Sequence, residues 1–290
     1  MIQRLKNAIK TFAKICQHRP ITAQIILVPP SEILKGKTVL VTGGTSGIGK
    51  AIATSFYQAG AHVILTSRTQ QRAEQAAAEI DPSRTRVIGM AMDATDIKGM
   101  PERIEALKKT APDQIIHILV NNAGLVGGGI TNTTEEEFDR ILSTNLKSVF
   151  FLSKMIAAEM VRNGVRGHIL NIASSSSLRP AISAYTLSKW GIRGLTQGLA
   201  KMLAPHGIVV NGLAPGPTAT PMLGKEDYSD IALPTNPIGR YALPEEIASM
   251  ALFLCSSQGD TIVGDIVYMT GGAGVIENND LDYRFEPGNQ

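Results

Sequence analysis

Short apolar runs alternate with longer helical patterns along most of the chain, and this alternation predicts strands separated by helices. The runs are rich in Val, Ile and Leu and lie at 38–41, 62–66, 86–90, 115–120, 168–172, 208–211 and 265–269. Strands that are apolar throughout are typical of a parallel sheet covered by helices on both faces. With right-handed crossovers, the sequence predicts an α/β fold with a Rossmann-type, doubly wound parallel sheet of about seven strands.

Helical patterns lie between the strands, among them 48–58, 134–162, 184–204 and 244–255. The segment 217–243 differs, because prolines punctuate it and it has no strong period. Long loops of this kind in compact domains are often lids or binding loops. Its apolar residues predict either a partly apolar pocket or the packing of a lid, and they are Met222, Leu223, Tyr228 and Ile231.

An extension, 1–34, precedes the predicted domain at 35–272, and a tail, 273–290, follows it. Within 1–19, apolar residues recur at helical spacing and the remaining positions are rich in Lys and Arg, with no acid before Glu32. This pattern predicts a basic amphipathic helix. We favour a helix docked on the protein itself or on a neighbouring subunit over a membrane-surface helix or a transit peptide.

The bulk composition indicates a chain with a sizeable core, since hydrophobic residues make up 43% and charged residues 18%. The net charge of +3, without a basic run threaded with aromatics, argues against nucleic acid as a partner. No apolar stretch approaches the roughly 20 residues of a transmembrane helix. Cys16 and Cys255 match no metal or redox spacing, so we expect no metal site, no disulfide framework and a cytoplasmic location.

A glycine-rich turn, 42–49, separates the first predicted strand from the first helix. Glycines permit a tight turn and let the backbone approach a pyrophosphate without clashes at Cβ. The helix that follows offers unpaired N–H groups and a partial positive charge. The turn therefore predicts a dinucleotide-phosphate site, with Gly43, Thr45, Ser46, Gly47, Ile48 and Gly49 as its residues.

The second strand ends at Ser67, and Arg68 follows. Proteins that prefer NAD usually carry an acid at this point, which binds the ribose 2′-hydroxyl. A neutral residue removes the repulsion of a 2′-phosphate, and a guanidinium can bind that phosphate with two parallel bonds. The pair therefore predicts a preference for NADP(H), with NAD(H) as the alternative cofactor.

Tyr185 and Lys189 are four residues apart on a predicted helix, so their side chains share one face. A phenol with its ordinary pKa of about 10 is a poor acid or base at neutral pH. An ammonium group and a cationic nicotinamide nearby would lower the pKa of the phenol toward the working range. The serines at 174–177, after the fifth strand, could place a hydroxyl beside the substrate oxygen.

Taken together, these segments resemble the short-chain dehydrogenase/reductase family, in its compact single-domain form, over about 35–272. The matching segments occur in the family's order: 42–49, the Asn-Asn-Ala-Gly run at 121–124, Asn145, Ser174, Tyr185 with Lys189, and Pro215-Gly216. The resemblance implies an oxidoreductase that transfers a hydride between NADP(H) and a carbonyl or secondary alcohol. It also implies a homo-oligomer, a tetramer or a dimer, formed through helices at about 134–162 and 184–204.

The resemblance also implies a role for each matching residue. Tyr185 would be the acid/base, Lys189 would lower its pKa and bind the nicotinamide ribose, and Ser174, with Ser175 in reserve, would polarise the carbonyl. Asn145 would hold a water that links Lys189 to solvent. The implied cofactor contacts are Asp93 and Ala94 at the adenine, Asn121, Ala123 and Gly124 along the cofactor, and Pro215, Gly216 and Thr218 at the carboxamide.

The substrate stays open at this stage. Reductases of 3-oxoacyl carrier proteins are the commonest relatives of this kind, but they often carry an arginine where this chain has His206. Sugar or polyol, steroid and secondary-alcohol substrates are equally compatible with the motifs. A catalytically silent nucleotide-binding regulator or scaffold is the alternative function, and the intact Ser–Tyr–Lys–Asn set argues against it.

Overall fold

The computed structural model describes residues 29–224 and 230–276, and the predicted helix at 1–19 and Tyr228 lie outside them. Seven strands form one sheet: β1 Thr38–Val41, β2 His62–Ser67, β3 Val87–Ala91, β4 Ile118–Asn121, β5 His168–Ile172, β6 Val209–Pro215 and β7 Ile266–Met269. Their order is β3-β2-β1-β4-β5-β6-β7, and every pairing is parallel. The predicted fold class is confirmed.

Seven α-helices connect the described strands: α1 Gly47–Gln58, α2 Gln70–Ile80, α3 Met100–Lys108, α4 Glu135–Leu142, α5 Ser148–Arg162, α6 Ala184–Leu203 and α7 Pro244–Leu254. Short 3-10 turns occur at Pro30–Glu32, Ser175–Leu178, Ala204–His206, Pro221–Leu223 and Ser257–Gly259. Within the described residues, no helix combines the length and the apolar character needed to cross a membrane.

The strands are apolar throughout because each face of the sheet packs against its own layer of helices. Val39 and Val41 face one core, with Phe56 of α1 and residues of α2 and α7. Leu40, between them, faces the second core, with residues of α3, α5 and α6. Successive side chains of a strand point to opposite faces of the sheet, so residues at odd and at even positions must both be apolar.

The core also includes residues at both ends of the domain. Leu34 is 2% exposed and its N–H donates to the Ala59 carbonyl at 2.8 Å, although the sequence placed Leu34 in the extension. Ala273, the first residue of the predicted tail, is 3% exposed. The packing of both residues shows that burial continues slightly beyond the range 35–272 at each end.

The predicted helix at 134–162 is interrupted. Thr134 caps α4, its side chain accepting from the Glu137 N–H, and a π-helical turn at Ser143–Lys147 joins α4 to α5. Such turns are rare and often occur at functional sites. Here the turn contains Asn145, whose side chain accepts from the Leu125 N–H and donates to the Leu125 carbonyl. The spacing of apolar residues along the helix could not predict this tertiary contact.

The strand order reverses between β1 and β4, which are neighbours although β2 and β3 intervene in the chain. Ligands of open parallel sheets bind at the carboxyl ends of the strands beside such a reversal. The glycine-rich turn after β1 and the Asn-Asn-Ala-Gly run at the end of β4 meet at this point. The fold therefore brings the predicted cofactor segments to one edge of the sheet.

Candidate active site

A cavity of about 590 Å³ opens at the carboxyl edge of the sheet. It is lined by most of the residues that the sequence predicted for the site: Gly43, Thr45, Ser46, Gly47, Ile48, Gly49, Ser67, Arg68, Asp93, Ala94, Ala123, Gly124, Ser174, Tyr185, Lys189, Pro215, Gly216 and Thr218. Segments that are far apart in the chain thus meet in one continuous space. Of the predicted site residues, only Asn121 and Asn145 do not line it.

The glycine-rich turn is held against β4 by hydrogen bonds that the sequence analysis did not foresee. The Thr42 hydroxyl oxygen accepts from the backbone N–H groups of Asn122 and Ala123 at 3.0 and 3.1 Å. The Asn122 side-chain amide donates to the carbonyls of Thr42 and Gly43 at 2.9 and 3.0 Å. A Cβ on Gly49 would collide with that amide, which explains the glycine at this position.

The beginning of α1 is arranged to receive an anion. Ser46 is the N-cap residue but its side chain makes no capping hydrogen bond, and Gly47 adopts a positive φ of 51°. The first N–H groups of this 12-residue helix are consequently available beside the cavity. A dinucleotide pyrophosphate fits this turn, because the glycines leave its backbone uncovered and the helix dipole favours negative charge.

The end of β2 forms one wall of the cavity, with Ser67, Arg68 and Arg72 on it. Among the lining residues of the described chain, Asp93 is the only acid. Its carboxylate accepts from the N–H and the hydroxyl of Thr95, both at 2.8 Å. The wall therefore presents two guanidinium groups and a hydroxyl, a donor set suited to an anionic group.

Asn121 was predicted to contact the cofactor, and the structure places it elsewhere. Its side-chain amide is buried beneath the cavity and donates to Ser153 Oγ at 3.0 Å and to Asn171 Oδ1 at 2.9 Å. Asn171 in turn donates to Thr196 Oγ1 at 2.9 Å. This network joins β4, β5, α5 and α6, while the neighbouring Asn122 lines the cavity instead.

Ser174, Tyr185 and Lys189 come together at the end of β5 and the beginning of α6. Both Ser174 and Tyr185 line the cavity here, and the Ser174 hydroxyl is close enough to influence the pKa of the Tyr185 phenol. Lys189 Nζ lies 5.7 Å from the centroid of the Tyr185 ring and donates to the Ile172 carbonyl at 2.8 Å. This geometry favours Ser174 over Ser175 as the serine that would contact a substrate oxygen.

Burial dominates the electrostatics of this trio. It raises the pKa of Tyr185 above its ordinary value, and the nearby Ser174 hydroxyl opposes the rise without cancelling it. Burial also lowers the pKa of Lys189 to about 8. We expected the lysine to lower the tyrosine pKa, but the protein alone gives the opposite direction, because the ammonium is bonded to the Ile172 carbonyl and both groups are desolvated.

Asn145 stands behind the trio, inside the π-helical turn. Its amide donates to the Leu125 carbonyl at 2.8 Å and to Ser188 Oγ at 3.1 Å, and its oxygen accepts from the Leu125 N–H at 2.8 Å. Ser188 donates onward to the Tyr185 carbonyl at 2.6 Å. Asn145 therefore connects α6 to the loop after β4, a positioning role that the sequence did not reveal.

The opposite wall is the end of β6 with the segment after it. A Cβ on Gly216 would lie 2.7 Å from Thr270 Cα, so this position requires glycine. Thr218 donates to the Gly216 carbonyl at 3.0 Å and is nearly buried. The outer part of the cavity is formed by residues that the sequence analysis left unassigned or treated as lid packing: Leu125, Val126, Arg140, Thr144, Arg179, Met222 and Leu223.

Metal chemistry has no candidate donors in the part of the chain described, since no three His, Cys, Asp or Glu side chains there cluster as ligands would. Cys255 is buried and burial raises the pKa of its thiol, so it is a core residue rather than a nucleophile. The reactive groups that the described residues do bring to the cavity include the hydroxyl, phenol and ammonium groups of Ser174, Tyr185 and Lys189.

Comparison with known proteins agrees with this geometry. The family described as short chain dehydrogenase matches residues 37–230. A 3-oxoacyl-[acyl-carrier-protein] reductase of Thermotoga maritima is 34% identical over 244 residues, which cover 82% of this chain and 98% of the relative. Its name describes the relative and not this chain.

Two crystal structures are similar throughout the domain. One is a 3-ketoacyl-(acyl-carrier-protein) reductase from Brucella melitensis complexed with NADH, with a TM-score of 0.75, 32% identity, and coverage of 83% of this chain and 100% of that one. The other is a candidate NAD(P)-dependent gluconate 5-dehydrogenase from Beutenbergia cavernae with bound NADP, with a TM-score of 0.75, 32% identity, and coverage of 84% and 98%. The parallel sheet and the glycine-rich turn agree with these matches, which extend over most of the chain. The chain therefore belongs to the short-chain dehydrogenase/reductase family of NAD(P)-dependent oxidoreductases.

Proposed function

We propose that this protein transfers a hydride between NADP(H) and a carbonyl or secondary-alcohol substrate, with Tyr185 as the acid/base. The observation that carries the proposal is the convergence of Ser174, Tyr185 and Lys189 in the same cavity as the glycine-rich turn, with Lys189 Nζ 5.7 Å from the centroid of the Tyr185 ring. A partly buried tyrosine and a buried lysine at a cavity wall, with perturbed pKa values, are typical of a functional site.

In the direction of carbonyl reduction, each residue has a separate role. When bound, the nicotinamide supplies the hydride that forms the new C–H bond at the carbonyl carbon. Ser174 donates a hydrogen bond that holds and polarises the carbonyl oxygen, and the Tyr185 phenol transfers its proton to that oxygen. Lys189 stabilises the phenolate that remains. Asn145, bonded to Ser188 on α6, helps to hold Lys189 in position while the phenolate takes up a proton again.

The preference for NADP(H) is supported by Arg68 and Arg72 and by the neutral residue, Ser67, at the end of β2. A ribose 2′-phosphate accepts charge-assisted bonds worth about 1.5–3 kcal/mol from a guanidinium. We expect Arg68→Ala to weaken NADPH use by about tenfold with little change for NADH. Because Arg72 can partly compensate, Ser67→Asp combined with Arg68→Ala should reverse the preference more fully.

The test is a panel of carbonyl substrates read at the nicotinamide absorbance with NADPH and with NADH. Sugar acids and 3-oxoacyl thioesters come first in the panel, because the similar proteins are named for those substrates. The ratio of kcat/KM for the two cofactors is compared in wild type and in both variants, with Arg103→Ala on exposed α3 as the matched control. A wild type that prefers NADH contradicts the cofactor assignment, and nucleotide binding without turnover on any carbonyl contradicts the reaction.

The proposal includes a homo-oligomer, a tetramer or a dimer, in the cytoplasm. In support of assembly, helices α4, α5 and α6 expose large apolar side chains, namely Phe138, Phe150, Leu187 and Trp190. In support of a reducing compartment, Cys255 is a free, buried thiol. Light scattering that gives a monomer at micromolar concentration contradicts the first point, and fractionation of cells checks the second.

A further inference from the structure

Two cationic side chains of the cavity have no task in the proposed function. Five cationic side chains line it against one carboxylate, Asp93, which is already bonded to Thr95; the cations are Arg68, Arg72, Arg140, Arg179 and Lys189. The proposed function uses three of them, two for the ribose phosphate and one for catalysis. Arg140 and Arg179 have no task in that scheme.

Arg179 belongs to the catalytic end of the cavity. It directly follows the 3-10 turn Ser175–Leu178, which begins after Ser174. Its carbonyl accepts from Trp190 Nε1 at 2.9 Å, which ties it to the helix that carries Tyr185 and Lys189. A Cβ on Gly274 would lie 3.6 Å from Arg179 Nε, so the side chain runs along the segment after β7.

Arg140 approaches the cavity from α4, one helical turn before Thr144, which also lines it. Neither Arg140 nor Arg179 has a carboxylate within ion-pair distance among residues 29–224 and 230–276. Among the described arginines, Arg162 and Arg240 do pair with a carboxylate, Arg240 with Glu246 through two bonds of 2.8 Å. Two exposed guanidinium groups at the mouth of a catalytic cavity, without an acid, are suited to a ligand anion.

We infer that the substrate carries an anionic group, a carboxylate or a phosphate, which Arg140 and Arg179 bind while the reacting carbonyl lies at Ser174 and Tyr185. The inference rests on the proposed function and specifies its substrate class. Met222 and Leu223, both about half exposed at the same mouth, provide apolar contact for the carbon skeleton between the two ends. Planar guanidinium groups bind carboxylates and phosphates alike, so the experiment includes a separate pair of substrates for each anion.

The kinetic test compares charged substrates with neutral counterparts of similar shape. One arm sets 5-ketogluconate against fructose, and the other sets 3-oxobutanoyl-4′-phosphopantetheine against 3-oxobutanoyl-pantetheine. We expect wild type to favour the charged member of at least one pair, and the arm that shows the preference identifies the anion. Arg140→Gln and Arg179→Gln should each reduce the charged-to-neutral ratio of kcat/KM by about tenfold. Arg103→Gln, which removes an exposed arginine outside the cavity, should leave the ratio unchanged.

A binding test works without turnover, because Trp190 is the sole tryptophan of the chain and its indole N–H donates to the Arg179 carbonyl. In the presence of NADPH, with which these alcohols do not react, gluconate is compared with sorbitol, and phosphopantetheine with pantetheine, while tryptophan fluorescence is recorded. We expect a saturable response to an anion and not to its neutral partner. The response should weaken about tenfold in affinity in Arg179→Gln and stay unchanged in Arg103→Gln.

The outcomes separate this inference from the proposed function. Turnover of charged and neutral members at equal kcat/KM, without a fluorescence difference, overturns the inference and leaves the oxidoreductase proposal in place. A fluorescence response to the anion that depends on Arg179, with no reduction of any carbonyl, supports the anion site and overturns the proposed reaction.

Discussion

The two ends of the same strands carry very different polar chemistry. At the amino edge of the sheet, His62, His117 and His168 stand on or beside β2, β4 and β5. At the carboxyl edge, β4 and β5 lead into Asn122 and Ser174, and Lys189 lies against the end of β5. In both places titratable groups are removed from water, and at the carboxyl edge they line the cavity of about 590 Å³.

At the amino edge, the histidines serve their neighbours. His117 Nδ1 accepts from the Thr38 N–H at 3.2 Å, and His168 lies 3.0 Å from a carboxylate oxygen of Asp260. Burial is the largest cause that lowers the pKa of all three histidines, and the nearby Asp113 or Asp260 only opposes it. These rings are thus kept neutral and close the end of the sheet.

At the carboxyl edge, burial acts on Lys189 in the same direction, but the contacts differ. Its ammonium has one bond, to a backbone carbonyl, and its remaining protons face a cavity rather than a carboxylate. The comparison teaches that burial alone does not mark a catalytic group. What distinguishes Lys189 is burial beside a space that a ligand can enter.

The largest effect should come from the phenol that faces this space. We expect Tyr185→Phe to lower turnover by about 10²–10⁴-fold while the Kd for NADPH is kept, because only the proton donor is lost. Tyr57→Phe is the matched control, since the Tyr57 hydroxyl contacts Asp81 at the far end of α1. Near-native turnover of Tyr185→Phe on a verified substrate rules out the proposed mechanism.

The next effect concerns the cost of burying Lys189. The fall of its pKa from 10.5 to about 8 corresponds to a cost of about 3 kcal/mol for the charged form. Because the unfolded lysine holds its proton up to a higher pH, this cost is fully present below pH 8 and disappears as the pH rises toward 10.5. Lys189→Met should therefore abolish activity and raise the free energy of unfolding at pH 7 by up to about 3 kcal/mol, less at pH 9.5.

Lys108→Met is the control for this substitution and should have the opposite sign. Lys108 is bonded to Glu159 at 2.8 Å, and that carboxylate raises the pKa of the lysine. Removing it leaves a half-buried carboxylate without its main partner, so the protein should lose stability. Urea unfolding at the two pH values measures both variants, and a Lys189→Met protein that is less stable than wild type at pH 7 contradicts the account.

The smallest effect belongs to the amino edge. His62 Nδ1 is buried without a hydrogen-bond partner, and burial followed by Arg86 lowers the pKa of the ring. As the pH falls below 6.5, the unfolded histidine takes up a proton before the folded one. The free energy of unfolding therefore decreases on acidification. His62→Phe should add about 1 kcal/mol and flatten the loss of stability between pH 7.5 and 5.5.

The matched control for His62→Phe is His206→Phe, in an exposed turn. Thermal unfolding at several pH values gives the comparison. An unchanged pH dependence in His62→Phe would show that the amino edge does not hold this ring neutral, and the contrast between the two edges would then be weaker.

Most of the fold could be predicted from the sequence because the apolar runs of a doubly wound sheet are short and distinct. All seven strands overlap their predicted ranges, with errors at the ends. β6 continues to Pro215, beyond the predicted 211, although Gly212 and Pro215 usually break strands. Gly212 is suited to its place because the side chain of Ile266 on β7 occupies the space that a Cβ would need.

The candidate site was predicted less evenly. Motifs located the glycine-rich turn, Ser174, Tyr185 and Lys189, but they did not show that Asn122 lines the cavity while Asn121 is buried beneath it. Every residue of β4 is buried, so the usual alternation of apolar and polar positions cannot show which asparagine faces the ligand. Arg140 and Arg179 were missed because exposed arginines carry no local pattern, and only the tertiary fold brings them to the cavity.

The network around Asn121 has a further consequence for how the protein opens. Its bonds link β4, β5, α5 and α6 through four side chains, so none of these elements can separate from the others without leaving buried amides unpaired. Amide hydrogens of the four elements should then exchange with solvent as one cooperative unit, at a single free energy of opening. Asn121, which the motif assigned to the cofactor, would then help to set the rate at which the elements beneath the cavity open.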